Sequence, residues 1–489
     1  MKIIFAPLVD YFRQRRFRYL FITSGMTVML VGCAGMQLSD MFSGYAQQML
    51  PVRNHIDQGQ LQQAQSTLIV RSKTENSYAL SQLEAGRLAF LANDWSSSQK
   101  AFEQAYDYVK TTNEQAKIRI SESLNQAGAL LSNDNALPYV IPAYEQSMMH
   151  SYQAINYLMQ GDREGALVEV RRANIVQENS LKQNQDKLDE ARSDALQKAD
   201  VPESSLYSSF PDMESTLADV KSGFQNAYTF YLSGVLYEAS NELNDAYIDY
   251  KRALEIYPDN PVLINDVQRL AQRLSMQDDI VRFNQRYGEY QPKSLQSNGI
   301  GDVIVVIELG QIMPREDASI NLPTSHRGRL RFYSLSLPSY NHARQFTVPA
   351  QVQLRQGEQV LTAEPLLELL PLAKFQLYEQ MPGMVARQVL RIFAKEEIRQ
   401  EAARSGGDVG NILASLYNIA SERADTRSWL TLPQQIQVLR QPLGVGKQSI
   451  EVDYNGQQQL IDVEVKENRI TLVKLTVTGN YIGYITSNL

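Results

Sequence analysis

The amino-acid sequence predicts an α+β protein, in which an all-α helical array comes first and a mixed domain of helices and strands follows. Between Met41 and Glu289, apolar residues recur at helical spacing and proline is scarce. From Val303 onward, short β-branched runs alternate with turn residues, and one helical block interrupts them. The change of period from about 3.6 residues to 2 separates the two parts.

Length and composition are those of a globular protein. The chain has 489 residues, of which 43% are hydrophobic and 21% charged, so it is long enough for roughly two to four domains. Its single cysteine, Cys33, excludes an internal disulfide, and none of its four histidines stands in a paired metal-ligand spacing. We therefore expect no metal and no cofactor.

Residues 1–32 have the layout of a secretory signal peptide. Five basic side chains and one acidic side chain precede an uncharged run, residues 19–32, which is short for a permanent span of a ~30 Å hydrocarbon core. The run leads into Leu30-Val31-Gly32-Cys33, which resembles the bacterial lipobox. That resemblance implies cleavage before Cys33, acylation of its sulfur, and a tether over residues 33–48.

Two alternatives to this interpretation stay open. Cys33 could be an apolar residue of an uncleaved anchor, or Met26 could be the true start, although the basic region would then be lost. Ala34 follows the cysteine, at a position where aspartate favours inner-membrane retention in enterobacterial lipoproteins. The resemblance therefore implies an outer-membrane lipoprotein that faces the periplasm.

Cleavage also changes the net charge. The whole chain carries −7, and removal of five basic and one acidic side chain leaves the mature chain at about −11. An acidic chain disfavours nucleic-acid binding and also a polybasic attachment to anionic lipid. We expect the lipid itself to hold the protein on the membrane.

The helical array, residues 49–290, carries a pattern that resembles the tetratricopeptide repeat, a helix–turn–helix of 34 residues. Small residues are needed where the two helices of a repeat cross, aromatic side chains fill the space beside them, and proline ends the second helix. The clearest copy contains Gly234, Tyr237, Ala246, Tyr250, Ala253 and Pro258. Two others contain Gly86, Ala89, Ser98, Phe102 and Ala105, and Ala154, Tyr157, Ala166, Val170 and Ala173.

The spacing of these copies supports a repeat. Steps of 34, 68 and 80 residues separate the central small residues, which are Ala64, Ser98, Ala166 and Ala246. The last step predicts an insertion, with a long polar helix over residues 179–201 and a loop over residues 202–211. A generic helical bundle with coincidental small residues is the alternative.

The C-terminal domain is predicted to contain a β-rich segment at 302–363, a helical segment at 364–433 and a β-sandwich-like segment at 434–489. Strands are expected at residues 303–309, 330–337, 347–355, 359–362, 434–440, 448–454, 458–466 and 469–478. Turn residues predict hairpins around Gln356-Gly357, Asn455-Gly456 and Glu467-Asn468. We expect all the strands to share one sheet system, with the helices packed against it.

Two motifs in this domain have a structural and a functional interpretation. Gly444-Val445-Gly446-Lys447 looks like a phosphate loop, but Gln441 and Gln448 stand where the Walker pattern needs Gly and Ser or Thr, so a hairpin turn is predicted. A basic row on the helical segment is either a solvated face or a contact for acidic or phosphate groups; its members are Arg387, Arg391 and Lys395.

Residues 424–433, with residues 161–166 and 224–228, resemble segments of an uncharacterised family of proteobacterial lipoproteins with tetratricopeptide-like repeats and a C-terminal β-rich domain. The resemblance covers most of the mature chain and implies the same two-part architecture, with no activity to carry over. Asp425, Arg427 and Trp429 either pin the loop that leads into the last strands or form a contact site.

The usual catalytic patterns, such as the G-x-S-x-G elbow, do not occur in the sequence. We expect a non-catalytic outer-membrane lipoprotein that acts as a periplasmic scaffold for protein–protein interaction in the assembly or regulation of a cell-envelope machine. Its partners would be the membrane, through the lipid, and unidentified envelope proteins. The alternatives are a structural component of a secretion or surface-polysaccharide export apparatus, and a periplasmic cell-wall-active enzyme.

Overall fold

About 52% of the protein is helical and 24% is strand, so the predicted α+β class is confirmed. The computed structural model describes residues 44–119, 134–198, 201, 203–210, 225–291, 299–326, 329–340, 352–406 and 423–489. The predicted signal peptide and Cys33 lie outside these residues. The chain divides into the units Met1–Gln48 and Met49–Leu489, and the contacts described below lie within the second.

Helices follow one another through the first half of the chain, and most of them pack against a neighbour in the sequence. In chain order they are α1 (Tyr45–Asp57), α2 (Leu61–Thr67), α3 (Tyr78–Leu91), α4 (Trp95–Arg119), α5 (Ala143–Met159), α6 (Arg163–Lys198), α7 (Glu203–Ser209), α8 (Ala227–Ala239), α9 (Leu243–Ile256), α10 (Pro261–Arg273) and α11 (Gln277–Tyr287). The pairs α3–α4, α5–α6, α8–α9 and α10–α11 are the building blocks of this half.

Two of these pairs have a glycine at their crossing. A Cβ atom on Gly86 would lie 2.6 Å from the Phe102 ring, and a Cβ atom on Gly234 would lie 2.6 Å from the Tyr250 ring. Contacts that short do not occur, so only glycine lets these helices approach so closely. In both pairs the aromatic residue stands 16 positions after the glycine, and the same packing is used twice.

The turn between paired helices also recurs. One residue in each turn has a left-handed backbone, and these residues are Gly59, Asn93, Gly161, Asn241 and Ser275. Steps of 34, 68, 80 and 34 residues separate them. The last step places α10–α11 as a further pair that the small-residue pattern did not predict, because Gln268 and Ile280 stand where the clearest copy has Gly234 and Ala246.

The insertion before α8 differs from the prediction in one respect. Helix α6 continues to Lys198, in agreement with a long polar helix. The following residues were predicted to be a loop, but α7 (Glu203–Ser209) lies there. Phe210 explains the difference, because its side chain is buried with its ring centroid 6.4 Å from that of Tyr378, and this anchors the short helix.

The strands form three sheets. In chain order the strands are β1 (Ile300–Leu309), β2 (Glu316–His326), β3 (Arg329–Ser339), β4 (Gln353–Gln356), β5 (Gln359–Leu361), β6 (Glu364–Glu368), β7 (Gln435–Gly444), β8 (Gly446–Tyr454), β9 (Gln457–Val465), β10 (Ile470–Thr478) and β11 (Tyr481–Asn488). The strand orders are β11-β10-β1-β7-β6, β5-β4-β8-β9 and β2-β3. Helix α12 (Leu369–Gly406) follows β6 in the chain and precedes β7.

The five-stranded and four-stranded sheets share one apolar core. It is built by residues such as Val305, Val473 and Leu439 from one sheet and Val452 and Ile461 from the other. Strand β1 lies parallel to β10 and antiparallel to β7, so the first predicted strand joins the last ones, as expected. The prediction of one shared sheet system is wrong for residues 330–337, because they belong to β3, which pairs with β2 in a separate sheet. The opposite face of the five-stranded sheet lies against the helices.

Several local predictions were wrong. Residues 364–368 were expected to be helical but form β6, which pairs with β7. The Gly444–Lys447 motif and the Glu467-Asn468 turn do not close hairpins, because the strands on either side of each belong to different sheets. The hairpins at Gly357 and at Asn455-Gly456 are confirmed. The predicted strand 347–355 lies partly outside the described residues, and β4 occupies its end.

Strands β2 and β11 were missed for a physical reason. Strand β2 reads Glu-Asp-Ala-Ser-Ile-Asn-Leu-Pro at its start, and Gly483 stands inside β11. Proline, glycine and acidic residues are poor strand formers, so the sequence pattern did not indicate these strands.

Within the described residues, no helix has the length and apolar character that a membrane span requires.

Candidate functional site

Helices α3, α5 and α8 form an inner row that is buried on nearly every side. All residues of α3 except Ala85 are buried, as are residues 227–237 of α8. One side of the row packs on the outer helices α4, α6 and α9. The other side faces the five-stranded sheet and an extended segment, residues 424–433, that we call the strap. This contact between the inner row and the rest of the chain is the candidate site.

Glu84 of α3 binds the main chain of the strap. One of its oxygens accepts the amide hydrogen of Leu430 at 2.8 Å, and the other accepts those of the Thr431 amide at 3.2 Å and the Thr431 hydroxyl at 2.6 Å. The carboxylate is fully buried. Charge-assisted bonds of this kind are shorter and stronger than neutral ones, so Glu84 fixes the register of the strap on α3.

Glu145 of α5 holds the preceding residue of the strap. It accepts the amide hydrogen of Trp429 at 3.0 Å and the hydroxyl hydrogens of Tyr139 and Tyr144 at 2.9 and 3.0 Å. Burial raises the pKa of Glu145, while these hydrogen bonds and the nearby Arg315 oppose the rise. Two inner helices therefore hold three consecutive backbone amides of the strap.

The strap inserts one large side chain between the helices. Trp429 has no exposed surface, and its ring meets Phe102 and Tyr152 edge to face, with centroids 5.7 and 5.9 Å apart. Its indole nitrogen donates to the Thr431 hydroxyl at 3.0 Å, so the buried polar atom has a partner.

Asp425 and Arg427 lie at the start of the strap. Two nitrogens of Arg427 donate to the Asp425 carboxylate at 2.7 and 2.8 Å. A further bond from Arg427 reaches the carbonyl oxygen of Leu137, at 3.0 Å, in the segment before α5. The three sequence-predicted residues thus lie together in the strap, where Arg427 and Trp429 also touch other parts of the same chain.

A buried ionic cluster, the Glu308 centre, lies beside the strap. The Glu308 carboxylate on β1 accepts hydrogen bonds from Arg87 of α3 (2.6 Å), Lys474 of β10 (2.6 Å), Tyr152 of α5 (2.7 Å) and Thr476 (2.9 Å). Burial alone would raise the pKa of Glu308, but Arg87 and Lys474 outweigh it and lower the pKa to about 2. The centre joins two helices to two strands.

A second ionic cluster holds the other end of the inner row. Arg440 of β7 contacts Glu238 of α8 at 3.0 Å, Asp266 of α10 at 3.0 Å and Asp302 of β1 at 2.7 Å. Burial favours the neutral form of Glu238, but Arg440 and Arg269 outweigh it and hold the pKa of Glu238 well below its usual range. The helical half is thus attached to the sheet at both ends of the row.

The predicted basic row on α12 is not a uniformly solvated face. Arg391 is buried and contacts Asp134 at 2.8 Å, while the half-exposed Arg387 reaches the same carboxylate at 3.5 Å. The side chain of Lys395 lies outside the described residues. The acidic group that the row meets therefore belongs to this chain, in the short helical turn Asp134–Ala136 before α5.

The repeat-signature residues hold the helices together and do not line a cleft. All of them are buried except Tyr157 and Pro258, which are partly exposed. Ser98 adds a specific contact, because its hydroxyl donates to the Gly86 carbonyl at 2.8 Å across the α3–α4 crossing.

The residues that matter most in this site were not predicted from the sequence. Glu84, Glu145, Glu308, Arg87 and Lys474 are all buried. One signal was present, because Glu308 and Lys474 each stand inside a short run of apolar residues, at 303–309 and 472–475. A charge inside such a run needs a partner, and this could have placed both residues at a contact between layers.

A cavity of about 20 Å³ lies between the turn after α3 and strands β10 and β11, and no carboxylate is among its lining residues. No group of three or more His, Cys, Asp or Glu side chains within the described ranges could hold a metal ion. The chain matches no known protein family and no characterised protein.

The low pKa of Glu308 predicts a pH effect on stability. Its folded pKa of about 2 lies below the unfolded value of 4.5, so its stabilising contribution is present above about pH 4.5 and is lost as the pH falls towards 2. Replacing Glu308 by Gln should remove this part of the acid dependence. Urea unfolding at roughly pH 5 and pH 3 should show a smaller loss of stability in the variant. Equal losses in both proteins would refute the ion pairing.

Proposed function

We propose that the protein is a non-catalytic outer-membrane lipoprotein whose tetratricopeptide-like array serves as a periplasmic scaffold for other envelope proteins. The observation that carries the proposal is what the buried acidic side chains bind. Glu84, Glu145, Glu238 and Glu308 bind groups of the chain itself and hold its layers together. Such a structure suits a rigid platform better than an active site.

The tetratricopeptide-like assignment is supported by spacing and by packing. The left-handed turn residues recur at steps of 34 or 68 residues, except where the insertion lengthens one step. The glycine–aromatic crossings of α3–α4 and α8–α9 have the same geometry. A generic bundle would have no reason to repeat either feature.

The inner row is covered by the strap and the sheet, so we propose that partners bind the outer row. Helices α6 and α9 are joined there by the ion pairs Arg171–Glu242 and Arg252–Glu178. Three apolar side chains on these two helices are between 41% and 54% exposed, and we call them the outer patch: Val168, Ile175 and Ile248. Exposed apolar side chains rimmed by charges are typical of protein contacts.

Capture from detergent-solubilised envelopes tests the scaffold. We expect the wild-type protein to enrich a reproducible set of envelope proteins, and the outer-patch variant Val168→Glu/Ile175→Glu to lose it. A matched control carries Val360→Glu/Leu460→Glu on the four-stranded sheet, where both side chains are more than half exposed, and should retain the set. Enrichment of nothing, or an undiminished set with the outer-patch variant, would contradict the proposal. Closed rings of purified protein in negative-stain images would favour an export-apparatus component instead.

Lipidation is tested by changing Cys33 to Ser. The variant should appear in the soluble periplasmic fraction instead of the membrane, with an unchanged unfolding midpoint, because Cys33 lies outside the folded unit Met49–Leu489. Acyl chains supply the attachment in this account, at about 0.8 kcal/mol for each buried methylene. Retention of the variant in the membrane would mean that residues 19–32 form a permanent anchor.

A further inference from the structure

The Glu308 centre contains more positive than negative charge. Arg87 and Lys474 each bond to Glu308, and both are almost completely buried. Two cations thus share one carboxylate in a low-dielectric environment, where an uncompensated charge is costly.

Both cations also have hydrogen-bond donors that are not used. Nη1 of Arg87 is buried and has no hydrogen-bond partner among the described residues. The ammonium of Lys474 carries three donors. Two of them reach Glu308 at 2.6 Å and the Tyr228 hydroxyl at 3.4 Å, which leaves a third. The centre therefore lacks an acceptor as well as a negative charge.

A cavity lies beside one of the two cations, Lys474. Its lining residues include Lys474 and Thr476 of β10, Leu91 and Asn93 at the end of α3, and Tyr481 of β11. Its volume of about 20 Å³ is enough for one particle of the size of a water molecule and too small for a phosphate or a carboxylate ligand. The polar side chains among its lining residues are those of Lys474, Asn93, Thr476, Tyr481 and Tyr484.

We propose that this cavity binds a small monovalent inorganic anion of the size of chloride, held by Lys474 and the Asn93 amide. The anion supplies the missing negative charge of the Glu308 centre and accepts the unused donor of Lys474. It joins the turn after α3 to strands β10 and β11 and so strengthens the attachment of the helices to the sheet. This inference does not depend on the scaffold function.

Chloride-dependent unfolding of the full-length protein in detergent at pH 7 tests the site. Sodium chloride is titrated against sodium gluconate at matched ionic strength, since gluconate is too large for the cavity. We expect chloride to raise the thermal midpoint by a few degrees and the effect to saturate. Equal midpoints in the two salts would overturn the proposal.

Two variants and one crystallographic measurement identify the location. Asn93→Gly keeps the left-handed turn at φ 61° and removes the amide, so it should raise the half-saturating chloride concentration several-fold. Lys447→Met, at an exposed lysine, should leave it unchanged. Crystals of the unmodified protein soaked in sodium bromide should show an anomalous peak beside Lys474 Nζ. An empty cavity there, or identical chloride responses in the two variants, would contradict the assignment.

Discussion

Replacing Trp429 by alanine should destabilise the protein by about 3–5 kcal/mol, the range for a large aromatic side chain removed from a packed core. Trp429 is completely buried between Phe102 of α4 and Tyr152 of α5, and nothing in the strap can fill the space that it leaves. Urea unfolding followed by circular dichroism measures the change. The loss should appear as a lower midpoint with an unchanged slope.

The other tryptophan provides a matched control. Trp95 lies at the start of α4, is partly exposed, and meets one ring, that of Phe90, at 5.5 Å. Trp95→Ala removes the same atoms, but water can occupy the site, so we expect a loss of less than about half that of Trp429→Ala. Equal losses in the two variants would show that the strap is not part of the folded core.

Removal of Glu308 should have a comparable effect, a loss of about 3–5 kcal/mol for Glu308→Leu. The substitution takes away the 2.6 Å bonds to Arg87 and Lys474 and leaves two buried cations without the carboxylate that they share. The triple variant Arg87→Met/Glu308→Leu/Lys474→Met removes every charge of the centre together. It should recover most of the stability, because a buried ion cluster is costly mainly when it is incomplete.

An exposed ion pair supplies the control for this series. Arg171→Met breaks the contact with Glu242, which lies at the surface with the two groups 3.4 Å apart. Exposed pairs contribute at most about 1 kcal/mol, so little change is expected. If Glu308→Leu were as mild as Arg171→Met, or if the triple variant were less stable than Glu308→Leu, the Glu308 centre would not have the role assigned to it.

The parts of the fold that could be predicted from the sequence depend on neighbours along the chain. The core strands β1 and β10 are apolar runs, and Asn455-Gly456 closes a two-residue hairpin with both residues in left-handed conformations. The glycine–aromatic spacing of α3–α4 likewise follows from one helix crossing. Each of these features is decided by residues within a few tens of positions of one another.

The features that could not be predicted join distant residues. Nothing local in β1 specifies that it pairs with both β7 and β10, or that the strap lies on α3. The basic row on α12 gave no sign that Arg391 would be buried against Asp134, because a charged helix face looks the same whether water or a carboxylate meets it. The pair α10–α11 was not singled out from the sequence because it lacks the small-residue signature, and Leu263 and Val267 are among the buried residues of α10.

The candidate site illustrates the same limit. The sequence singled out Asp425, Arg427 and Trp429, which do lie together in the strap, but it did not indicate the acids that hold the strap. Glu84 and Glu145 stand on helices that are almost entirely buried, and their partners are backbone amides. Backbone amides are the same in every residue, so no sequence pattern marks them as ligands.

Hydrogen exchange of the strap amides tests most directly whether the strap packs on the inner row of helices in the folded protein. The amides of Trp429, Leu430 and Thr431 donate to Glu145 and Glu84, so they should exchange as slowly as those of β1 and α3, at a rate set by global unfolding. Mass spectrometry on peptides that cover residues 425–433 gives the rate. Protection equal to that of the core is the predicted result, and rapid exchange in folded protein would contradict the account.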